Sequence, residues 1–141
     1  MNNKNILDEV NKGTTMGMEA VKDIIDKAHS KDFVKLLKQM YKEYKKISIR
    51  INNLYNEYDK DEPHKISAMN KWMTEMGIDM RTMNDDSDSK LAELLLQGTN
   101  MGIIEGRRLL NQKNMDKSVH SILEEFVTLQ EKNVEALKKY L

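Results

Sequence analysis

Two stretches decide how this chain folds: GTTMGMEA at 13–20 and GTNMGIIE at 98–105. Both repeat the pattern Gly-Thr-x-Met-Gly, 85 residues apart. At that offset Val10 meets Leu95, Thr14 meets Thr99, Gly17 meets Gly102 and Ile24 meets Leu109. One residue is then inserted. At an offset of 86, Phe33 meets Val119, Leu37 meets Leu123, Met40 meets Phe126 and Ile51 meets Leu137. Two halves share one apolar plan: a helix, a short turn and a longer helix.

The spacing within each half is helical. Leu7, Val10, Thr14, Gly17, Val21, Ile24 and Ala28 advance by threes and fours, as one face of a helix does. Phe33, Leu36, Leu37, Met40, Tyr44, Ile47, Ile51 and Leu54 do the same. Ser30 and Asp116 supply capping residue types before the second helix of each half. The pattern predicts helices near 4–28, 31–58, 89–112 and 116–140. Hairpins at 4–58 and 89–141 are joined by a crossover at 59–88, long enough to return along the bundle. That crossover is read as holding a helix of its own, roughly 66–83. The expectation is one all-α domain, a four-helix bundle with a single long crossover.

Composition agrees. The chain has 141 residues, one proline, no cysteine, and a third of its residues charged. Disulfides and thiolate chemistry are thereby excluded. Its 23 basic and 23 acidic residues cancel, so no net charge draws it to nucleic acid. No apolar run approaches a membrane span, and a cytoplasmic protein is expected.

The duplicated Gly-Thr-x-Met-Gly helices, the long crossover and the closing EFVTLQEKNVEALKKYL (125–141) resemble the small bacterial ferritin-like bundles. These include uncharacterised and spore-coat-like members. The resemblance implies a ferritin-like fold. In the wider superfamily it implies a carboxylate-bridged di-iron centre, with a Glu on helices one and three and Glu-x-x-His on helices two and four. This chain departs from that pattern. Glu105 lies on the glycine face of the third helix, but its offset partner is Ala20. The second helix has no histidine. The fourth has His120 and Glu124 one turn apart in reversed order, with Val34 and Lys38 at the matching places. Glu105, His120 and Glu124 are thus the weak candidates for iron. Their ordinary readings are a paired carboxylate and a surface His–Glu pair, and no cofactor is expected. His29 and His64 fall in turns.

Three further features are open to a functional reading. Gly13, Gly17, Gly98, Gly102 and Gly106 share a helix face in the two halves. A helix-interior glycine costs about 1 kcal/mol relative to alanine. Close packing of helices one and three is the expected reason, with a cavity beside the glycines as the alternative. Met69, Trp72, Met73, Met76 and Met80 recur at helical spacing in the crossover. They form either an apolar stripe packed on the bundle or an adaptable partner surface, and thioethers are also copper(I) ligands. Lys35, Lys38, Lys42 and Lys45 line one face of the second helix, and a solvated face is expected. The function these features favour is a non-catalytic bundle acting through a homodimer or another protein partner. The alternative is a metal-binding or redox bundle with an atypical carboxylate site.

Overall fold

The computed structural model describes residues 2–58 and 85–141. Four helices account for most of them: α1 (Asn3–Ile25), α2 (Lys31–Tyr58), α3 (Asp88–Leu110) and α4 (Lys117–Lys138). The described residues contain no strand. Each helix runs within a few residues of its predicted span. The Met-rich stretch, with Met69, Trp72, Met73, Met76 and Met80, lies outside the described residues, as does His64.

Local chemistry sets the helix starts. The Asn2 side chain accepts from the Asn5 N–H at 2.8 Å, and the Ser87 hydroxyl accepts from Lys90 at 3.2 Å. Ser30 accepts from the Phe33 N–H at 3.3 Å. Asp116 departs from expectation. It stands at the N-cap of α4 but makes no capping bond with its side chain, which instead accepts from the Tyr58 hydroxyl at 2.5 Å. The turn at 26–30 has five residues and the turn at 111–116 has six. The extra residue in the second turn comes with a left-handed backbone at Asn114, φ 66°. Asparagine accepts that conformation more readily than most residues.

The direction of each helix follows from contacts at the two ends. At one end Tyr58, closing α2, meets Asp116 and Ser118 at the start of α4. Asn3 at the start of α1 accepts from the Asp116 N–H at that same end, at 2.8 Å. At the other end Asp88, opening α3, accepts from the backbone N–H groups of His29 and Ser30 at 2.8 and 2.9 Å. The chain therefore leaves α2 at one end and enters α3 at the other. The length of α2, 28 residues, is about 42 Å. α2 and α3 run parallel to each other, and α1 and α4 run the opposite way.

The core is the set of stripe positions. Leu7, Ile24, Phe33, Leu37, Ile51, Leu91, Leu123 and Leu137 have no exposed surface. The ring of Phe33 packs on Tyr140 with centroids 4.8 Å apart, which ties the start of α2 to the end of α4. Ion pairs lie over this core: Arg50 with Glu125 and Glu43 with Lys132 join α2 to α4, and Arg107 with Glu131 joins α3 to α4.

Candidate functional site

At mid-height of the bundle the apolar stripes give way to a buried polar group. Tyr44 of α2 points inward, and its hydroxyl donates to Gln130 Oε1 of α4. Asn133 Nδ2 donates to the same hydroxyl at 3.4 Å. Tyr44, Gln130 and Asn133 are each at most 3% exposed. Burial pushes the Tyr44 phenol up to about 12, against the opposing pull of hydrogen bonds with Asn133, Gln130 and Thr99. The phenol is neutral at physiological pH, and so are its partners. Sequence reading missed this cluster. The available signal was the offset of 86, which places Gln130 opposite Tyr44 and Asn133 opposite Ile47: two amides inside an apolar stripe.

The Gly-Thr-x-Met-Gly helices lie beside this cluster. Thr14 and Thr99 are buried, and each returns its hydroxyl to the carbonyl four residues earlier: Val10 at 2.8 Å and Leu95 at 2.7 Å. The side chains nearest to the glycines come from α2 and α4. A Cβ on Gly17 would stand 2.7 Å from the Tyr44 ring, and one on Gly13 would stand 2.8 Å from Phe126. On α3, a Cβ at Gly102 would meet Gln130 Nε2 at 2.5 Å, and one at Gly106 would meet Val127 at 2.4 Å. Direct α1–α3 backbone contact is therefore not what excludes a side chain at these four positions. Between α1 and α3 runs a cavity of about 210 Å³, lined by all five glycines and walled by Val10, Val21, Leu95, Leu123 and Phe126.

The iron candidates are not brought together. Glu105 is exposed at the cavity rim and pairs with Arg108 at 2.8 Å. His120 and Glu124 form a surface pair at 3.8 Å on α4. Among the described residues no three His, Cys, Asp or Glu side chains are grouped as a metal would need. Lys35, Lys38, Lys42 and Lys45 are all exposed. No described helix is long and apolar enough to cross a membrane.

Two more tyrosines bind carboxylates between helices. Tyr55 donates to Asp8 across α2 and α1. Burial, reinforced by that carboxylate, raises the Tyr55 phenol well above its ordinary value. Tyr58 is raised by desolvation and by Asp116.

No protein-family model matches the chain, and no curated protein sequence matches it. Its fold is similar to that of a solved structure, YcfI, described as "a putative structural protein from Rhodopseudomonas palustris". The similarity has a TM-score of 0.74 at 12% identity and covers 96% of this chain and 90% of that one. At that identity the likeness shows a shared fold.

Proposed function

We propose that this chain is a ferritin-like bundle of two repeated hairpins that acts in the cytoplasm without catalysis, through protein contact or self-association. The observation that carries this reading is the chemistry of the side chains at the bundle centre. A di-iron bundle needs carboxylate and imidazole donors converging at mid-height. Here that level holds Tyr44, Gln130, Asn133 and Thr99, neutral groups engaged mainly with one another and with backbone. The donor set does not fit iron. The carboxylates proposed as ligands lie outside the core, where each has its own cation or imidazole. The proposed contact surface is the Met-rich stretch, since thioethers adapt to irregular partner surfaces.

Two measurements test this reading. Protein purified without chelator is expected to carry well under one iron per chain, and to oxidise added Fe(II) no faster than buffer does. Stoichiometric iron that is lost on Glu105→Ala would replace it with the atypical metal site. Sedimentation over a range of concentrations is expected to show a dimer that weakens when Trp72 and Met76 are changed to alanine. A strict monomer that captures no protein partner would remove the interaction reading.

A further inference from the structure

The cavity between α1 and α3 has features that packing alone does not explain. It follows α1 from Glu9 to Val21 and α3 from Leu95 to Leu109. At 1.5 Å per residue these spans are about 18 and 21 Å. A volume of 210 Å³ spread over that length is a narrow slot. It exceeds the roughly 150 Å³ of an apolar cavity that takes up benzene, and its length suits an extended chain better than a ring. Its walls are apolar side chains and glycine backbone. Met16 and Met101 line it, and they are offset-85 counterparts, so both copies of Gly-Thr-x-Met-Gly contribute to one slot. Met101 is 59% exposed.

Among the buried polar side chains that line this slot, Gln130 has one atom without a protein partner. Gln130 is 3% exposed and lines the cavity. The Tyr44 hydroxyl donates to Gln130 Oε1 and accepts from Asn133 Nδ2, and the Gln130 amide nitrogen lies beside Gly102. No protein acceptor faces that Nε2 among the described residues. Yet no side-chain nitrogen or oxygen sealed from solvent lacks a partner there, so Nε2 is open to the slot. An amide N–H that opens into an apolar slot has only water or a ligand's acceptor left to bond. At the rim, Glu9, Lys12 and Glu105 mix both signs, and Glu105 is neutralised by Arg108. That rim has no field that selects an ion.

We infer that this slot binds a small neutral amphiphile: a hydrocarbon chain lying along the glycines, with one carbonyl oxygen accepting from Gln130 Nε2. The inference is independent of whether the bundle self-associates.

Methyl octyl ketone is a suitable probe, read by the ε-methyl NMR signals of the methionines. Saturable shifts are expected at Met16 and Met101 and not at Met115, which does not line the slot. Gln130→Met keeps the volume and removes the donor, and is expected to weaken binding about two- to tenfold. Ala20→Phe fills the slot and is expected to remove binding while the protein still melts cooperatively. If that variant does not fold, Met101→Glu, at an exposed position, is expected to weaken binding as read at Met16. The inference is overturned if the ketone shifts none of the slot methionines up to its solubility limit. It is overturned if Met115 shifts equally, which is unspecific partitioning. It is also overturned if Gln130→Met and Met101→Glu both leave affinity unchanged. Met16 and Met101 shifts that track protein concentration without ketone would assign the slot to a second copy of the chain.

Discussion

Tyr44 holds three elements together: its ring covers Gly17 of α1, and its hydroxyl joins Gln130 and Asn133 of α4. Tyr44→Phe keeps the ring and removes the hydroxyl, leaving a buried amide oxygen unpaired. It is expected to destabilise by about 1–3 kcal/mol in denaturant melts. It also carries a pH signature. A phenol raised in the fold from about 10 to about 12 contributes stability that is complete below pH 10 and is lost as pH rises toward 12. Wild type is therefore expected to lose stability more steeply over pH 10–12 than Tyr44→Phe does. Equal slopes would mean that Tyr44 is not the group titrating. The glycines should respond unequally. At Gly17 an added methyl meets a buried ring, whereas at Gly102 it meets the end of an amide that can turn aside. Both glycines also regain about 1 kcal/mol of helix propensity on going to alanine. Gly17→Ala is expected to lower the melting midpoint and Gly102→Ala to change it little. Leucine at either position overpacks the core and should cost at least 1–3 kcal/mol. A higher midpoint for Gly102→Leu would show that the position is open.

At the scale of the elements, Asp88 is the link between the halves at the end where α3 begins. Its carboxylate receives two backbone N–H groups from the turn between α1 and α2, and so sets where α3 enters the bundle. Hydrogen bonds to a charged group are worth about 1.5–3 kcal/mol when protected and less where solvent competes. Asp88→Ala is expected to cost about 1–2 kcal/mol, with Asp88→Asn intermediate, and to speed amide exchange at His29 and Ser30. The basic face of α2 should behave in the opposite way. Lys38 and Lys42 are exposed. Reversing both charges is expected to move the melting midpoint little, because exposed charges contribute little to stability. Salt-sensitive DNA or lipid binding that this change abolished would give the face a function. The helices themselves were legible because an amphipathic stripe repeats along the chain. Asp88 was not legible. Its partners are backbone groups 58 and 59 residues away, and no residue pattern records them.

For the whole molecule, the long connection and the two parallel pairs of helices follow from where the ends meet: Tyr58 with Asp116 at one end and Asp88 with His29 at the other. A bundle stapled at both ends holds neutral polar side chains at mid-height, where a metal-binding bundle would place its ligands. Iron supplied during expression is therefore expected to leave the thermal midpoint unchanged, as differential scanning calorimetry would show. A rise in midpoint with iron would reveal a site that binds the folded state.

The sequence by itself determined the four helices and most of the core, because burial on a helix requires a spacing of three and four that any chain must display. It also ruled out thiolate chemistry, because cysteine is missing, and a regular Glu-x-x-His site, because no histidine has a glutamate three residues before it. The tertiary structure alone decided what covers the glycines, where Glu105 points and which way the Gln130 amide faces. The sequence shows that side chains are absent at Gly17 and Gly102; Tyr44 and Gln130 come to occupy that space only when α2 and α4 pack across them. That the missing side chains leave a slot bordered by Tyr44 and Phe126 is visible only in the packed structure, because those two rings come from helices the glycine pattern does not name.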